Sequence, residues 1–257
     1  MTQLNVQIYE IQEPQEAETM IHLGVHRIGS VLVSSENWKM KSIRDTICTV
    51  KSSKSKSSLI PLFSELELIV RVIDWYEPDI IHFCESLSGK HGILNQCSDF
   101  VRLQEAVKKK YPGLVIMRSI PIGITGQAHL VPTLELARMF ESVSDEFLTD
   151  TLFYGGEEEQ PVKGFVGITG KTCDWGMARK LVEQSALPVI LAGGLSPDNV
   201  YEAAVSIMPF GVDSCTLTNQ TDRHGKSIRF RKDPLKVRRF VDEALRAEKT
   251  IREIKTH

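Results

Sequence analysis

Three stretches of this chain have the residue types and spacing to do chemistry. Residues 188–195 read Pro-Val-Ile-Leu-Ala-Gly-Gly-Leu, followed by Ser196-Pro197-Asp198-Asn199. A buried run, two residues without Cβ and a capped helix start present backbone N–H groups to an anion, so Gly193 and Gly194 are candidate phosphate contacts. Upstream lies Gly167-Ile-Thr-Gly-Lys-Thr-Cys-Asp-Trp175, which adds Gly170 and Lys171 as candidates. This stretch lacks the GxxxxGK[ST] spacing and does not follow the first strand, which excludes a nucleoside-triphosphate loop. Asp150 directly follows an apolar strand, where a carboxylate serves as general acid or base or caps the loop backbone.

The elements that must position these groups alternate along the chain. Short apolar runs predict strands at 6–9, 28–33, 59–63, 79–83, 114–117, 147–149, 189–192 and 210–213. Three-and-four-spaced apolar stripes and cap signals predict helices at 14–23, 64–76, 96–111, 130–140, 175–184, 197–205 and 234–249. Strands alternating with helices imply parallel pairing, and continuous apolar runs imply burial on both faces. Eight such units predict an α/β chain closed as a (β/α)8 TIM barrel, one domain over 1–257, with a doubly wound open sheet as the alternative.

In such barrels functional side chains come from the C-terminal ends of the strands. That rule selects Tyr9, His82, Arg118, Asp150, Asp213 and Thr216 beside the two glycines. His82 alternates with apolar residues and so points inward, as a ligand contact or a satisfied core histidine. Arg118 is an anion contact or half of a buried ion pair. His22 and His26 read as structural. The Lys/Ser tract 51–58 reads as a solvated connection. The segment 153–163, containing Glu157, Glu158 and Glu159, reads as a lid or as a mobile acidic excursion.

Composition narrows the function classes. The 257 residues are 42% hydrophobic and 25% charged, with a net charge of −2. That balance offers no electrostatic footprint for nucleic acid or membrane. Five scattered cysteines without CxxC spacing argue against a disulfide framework or zinc site and fit a reducing cytoplasm. No apolar stretch approaches the roughly 18 residues needed to cross a bilayer.

These motifs resemble the phosphoribosylanthranilate isomerase family of tryptophan biosynthesis. Its G-G-[TS]-G-K-T-F-D-W is similar to 167–175, and its P-x-x-L-[AS]-G-G-L-x-P-[ED]-N-V to 188–200. Its F-L-[LV]-D-T is similar to 147–151, its G-V-D to 211–213, and its closing G-K-K-D to Gly225-Lys226 and Lys232-Asp233. The resemblance covers nearly the whole chain. It implies an Amadori rearrangement of a phosphorylated small-molecule substrate, an N-phosphoribosyl amine, with no cofactor and no metal. An acid protonates the ribose ring oxygen and a base then takes the C2 proton. Asp150 aligns with the acid, and Gly193 and Gly194 with the phosphate-binding glycines. A homodimer is an assembly compatible with the resemblance.

The departures concern the substrate and the base. Where the family's first strand ends K-I-C-G, with cysteine as base, this chain has Gln7-Ile8-Tyr9-Glu10. Tyr9 takes the base position, and an unassisted phenol needs a neighbour such as Lys171 to lower its pKa. Glu10, next along a strand, should face the opposite side. The arginine that holds the anthranilate carboxylate is absent from Ser34-Ser-Glu-Asn-Trp-Lys39, leaving Lys39 or Lys41 as a less directional substitute. Leu217 replaces a glycine near the phosphate. Two functions remain open: an isomerase acting on a phosphoribosyl amine or related sugar phosphate, and an impaired barrel that binds a phosphorylated metabolite as sensor or partner.

Overall fold

The computed structural model describes residues 3–90, 92–153, 160 and 162–256. Eight parallel strands close the barrel: β1 (Asn5–Ile8), β2 (Arg27–Leu32), β3 (Lys56–Pro61), β4 (Ile80–Phe83), β5 (Val115–Gly123), β6 (Glu146–Leu152), β7 (Val189–Leu191) and β8 (Gly211–Ser214). They neighbour one another in chain order, and β8 returns to β1 through the register Gln7–Asp213. The open-sheet alternative is thereby excluded.

Among the described residues eight α-helices surround the strands: α1 (Pro14–His22), α2 (Lys41–Lys51), α3 (Leu66–Tyr76), α4 (Cys97–Lys110), α5 (Thr133–Phe140), α6 (Trp175–Gln184), α7 (Val200–Ile207) and α8 (Pro234–Thr256). Each presents an apolar stripe to the sheet; α3 buries Ile69, Val72, Ile73 and Tyr76. Asp174 caps α6 by accepting from the Met177 amide at 2.8 Å.

Several sequence expectations need correction. Helix α2 had not been assigned, although Ile43, Ile47 and Val50 form its buried stripe. The 51–58 tract is a connection only in part, because β3 begins at Lys56 and its Ser57 and Ser58 are buried. Polar residues can occupy this strand because their hydroxyls are satisfied. Ser57 donates from both backbone N and Oγ to one carboxylate oxygen of Asp79, each at 2.9 Å. Strand β5 runs six residues beyond its expected end at 117, which puts Arg118 in mid-strand. Of the segment 153–163, residues 154–159 and 161 lie outside the described residues.

Opposite strands meet at the floor of the barrel. Arg27 of β2 donates to both carboxylate oxygens of Glu146 on β6, the second bond at 2.8 Å, with both side chains nearly sealed from water. Phe210 lies under the guanidinium, 5.4 Å from ring centre to Cζ. Above this pair Ile80, Met117, Leu148 and Ile190 fill the interior, so the barrel is packed rather than hollow. Glu146→Gln leaves a buried guanidinium without its charge partner. It should destabilise the fold by about 3–5 kcal/mol, read as a lowered denaturation midpoint in urea.

Candidate active site

The open mouth of the barrel holds a cleft lined from the C-terminal ends of the strands. Tyr9, His82, Asp150, Gly170, Gly193, Gly194, Asp213 and Thr216 all border it, so the fold gathers most of the residues singled out by sequence.

The loop after β7 is shaped by close packing. Gly193 and Gly194 adopt φ of +91° and +67°. A Cβ on Gly193 would lie 2.5 Å from the Thr151 hydroxyl, and one on Gly194 would lie 2.4 Å from the Lys171–Thr172 backbone. Asn199 fixes the turn by donating to the Gly194 carbonyl at 3.0 Å and accepting from the Ser196 amide at 2.8 Å. Any side chain here would force the two loops apart. Residues 214–217 after β8 border the same cleft, with Leu217 among them. Behind them Lys232 donates to the Cys215 carbonyl at 2.6 Å and to the Asn219 side chain, pinning that loop from within the fold.

Asp150 projects inward from β6 two residues above Leu148. Burial pushes its carboxyl up to about 7, against the opposing hydrogen bonds from the Thr151 amide at 3.1 Å and the Ser119 hydroxyl at 3.5 Å. Gly167, at φ +105°, roofs it so closely that a Cβ would stand 2.4 Å from Oδ2. Asp213 projects from β8, where Gln7 donates to it at 3.1 Å. Burial and the nearby Asp150 carboxylate likewise push it up to about 7, with Gln7 and Lys232 opposing.

Tyr9 is not placed as a base. Its hydroxyl lies 2.6 Å from Ser58 Oγ and 2.7 Å from His82 Nδ1, and burial pushes its pKa well above 10.0. The lowering that a basic role needs is missing, so the phenol is a neutral hydrogen-bonding group. His82 completes the line with Nε2 2.9 Å from Ser119 Oγ; burial and then the Arg118 charge lower its pKa to about 3, leaving it neutral. Both ring nitrogens are engaged, one as donor and one as acceptor. Ser58, Ser119 and Gln7 were missed in sequence, where only inward alternation along their strands marked them.

Other candidates meet different partners. Arg118 is fully buried, donates to the Glu85 carboxylate at 2.5 Å and lies over Phe140 at 4.7 Å, so the ion-pair reading replaces the anion contact. Lys171 contributes its carbonyl, which accepts from the Thr151 hydroxyl at 2.8 Å, while its side chain is exposed. Glu10 does not face away: a left-handed φ of +64° breaks the strand alternation and brings it to the cleft, where Arg229 holds its carboxylate at 2.6 Å. Lys39 packs its ammonium over Trp38 and Trp75, and Lys41 pairs with Asp45. Neither lines the cleft in place of the absent arginine.

A family model described as N-(5'-phosphoribosyl)anthranilate (PRA) isomerase matches residues 116–242. The matched half of the chain carries the phosphoribosylanthranilate isomerase family's pattern. It is similar to N-(5'-phosphoribosyl)anthranilate isomerase 2 of Methanosarcina mazei, 35% identical over 139 residues that span 54% of this chain and 53% of that protein. This match thus spans about half the relative's length. Isomerase 1 of the same organism is 24% identical over 245 residues, 93% of each chain. The solved phosphoribosylanthranilate isomerase of Thermotoga maritima superposes with a TM-score of 0.65 at 17% identity, covering 94% of this chain and 98% of that one, which establishes the shared barrel.

The phenol at the end of β1 is neutral in this chain. A difference spectrum between wild type and Tyr9→Phe should show no phenolate at pH 10.0, the ordinary pKa of tyrosine. A phenolate band there would return Tyr9 to the role of base.

Proposed function

We propose that this chain catalyses the aldose–ketose isomerisation of a phosphoribosyl amine, with Asp150 as general acid. The observation that carries this reading is the raised Asp150 carboxyl in the cleft that Gly193 and Gly194 also line. A proton-bearing carboxyl near neutrality is matched to protonating a ribose ring oxygen, which opens the sugar to an iminium. The glycine loop after β7 and the 214–217 loop after β8 receive the 5'-phosphate, oriented by backbone rather than by side-chain charge.

The amine substituent meets the wall formed by Ile60, Leu62 and Phe165, which is apolar. An aromatic substituent suits that wall, and with no arginine in the 34–39 segment a carboxylate there gains little. The full family substrate should therefore bind with a raised KM relative to members that keep the arginine.

Incubation with phosphoribosylanthranilate and loss of the substrate's fluorescence tests the activity. Asp150→Asn should lower kcat by about 10²–10⁴-fold. The wild-type kcat should fall as pH rises through about 7, because Asp150 loses the proton it must deliver. Thermal stabilisation by ribose phosphates without turnover would instead establish the binding-barrel reading.

A further inference from the structure

Isomerisation needs a second group to take the C2 proton, and Tyr9 is withdrawn from that task by its surroundings. Among the described residues, each other proton acceptor bordering the cleft is engaged elsewhere or mismatched. Glu10 is tied to Arg229 and accepts from the Phe230 amide. His82 spends both nitrogens on Tyr9 and Ser119. Burial drives the Cys84 and Cys215 thiols well above their ordinary range, so neither supplies thiolate at neutral pH.

Resting on the isomerase reading above, we propose that Asp213 is the general base, flanking the phosphate loop from β8 as Asp150 flanks it from β6. Strand β7, which carries Gly193 and Gly194 at its end, lies between those two strands. A sugar anchored by its phosphate over β7 is thus reached by one carboxyl from each neighbouring strand. Gln7 orients Asp213 by donating to Oδ1 at 3.1 Å. The charged groups acting on it are Asp150, which favours its protonated form, and Lys232, which favours its carboxylate. With both carboxyls raised to about 7, a protonated Asp150 and an ionised Asp213 coexist in part of the population near neutrality.

In the step itself the Asp213 carboxylate takes the C2 proton from the open-chain iminium. The C2–H electron pair becomes the C1–C2 π bond, and the C1–N π pair returns to nitrogen. Tautomerisation of the enolamine adds a proton at C1 and removes the one on O2, yielding the ketone. No oxidant or reductant enters.

The test uses the full chain with phosphoribosylanthranilate. Asp213→Asn should lower kcat at least about 100-fold with KM within about threefold, whereas Tyr9→Phe should keep kcat within about fivefold. Asp213→Ala should regain turnover with added formate, saturably, which a purely structural role would not allow. The acid limb of the wild-type pH profile should be absent from the residual activity of Asp213→Asn. An active Asp213→Asn, or an inactive Tyr9→Phe that folds, overturns the assignment while leaving the isomerase reading intact. A wild type without turnover overturns the isomerase reading and this assignment with it.

Discussion

Charge held out of water governs this molecule. The closed barrel excludes solvent from its interior, so every polar side chain that points inward must find its partner inside. At the floor the solution is complete: the Glu146 carboxylate meets the Arg27 guanidinium across the barrel. At the mouth it is left open. Asp150 and Asp213 receive only neutral hydrogen-bond donors directly, and burial raises both towards neutrality. The same desolvation that would make an unpaired carboxylate a liability in a core makes these two groups able to exchange protons near pH 7.

The tyrosine at the end of β1 is accommodated by changes around it. Its ring crosses to β2, where Gly29 leaves no room for a side chain: a Cβ there would lie 2.1 Å from the ring. Its hydroxyl joins Ser58 of β3 and His82 of β4, and His82 passes the line on to Ser119 of β5. A phenol at this place therefore acts as a fastener across the upper barrel. It occupies the base's position in the chain without the base's ionisation.

Backbone packing and side-chain contacts place different demands on the residues around this cleft. The loop after β7 depends on two glycines whose missing Cβ atoms permit contact with Thr151 and the Lys171–Thr172 backbone. The side chains around it serve other ends. Arg118 serves the packing of α4 and α5 through Phe100 and Phe140, and Lys39 packs over Trp38 and Trp75. A loop defined by sterics tolerates no partial change, whereas a contact made by one long side chain can be lost singly.

Much was legible in the chain before any coordinates. The alternation of apolar runs and amphipathic segments implied the closed parallel barrel, because strands buried on both faces have few other solutions. The Gly-Gly turn and the strand-end carboxylate at 150 announced themselves because their roles depend on local chemistry. What alternation could not reveal was partnership. Whether Tyr9 ionises depends on Ser58 and His82, residues 49 and 73 positions away. The place of Arg118 depended on how far β5 extends and on Glu85 across the neighbouring strand, and a left-handed residue at Glu10 overrode the strand's own period. Local pattern specifies which way a side chain starts out; only the folded barrel specifies what it meets, and electrostatic character is decided by what it meets.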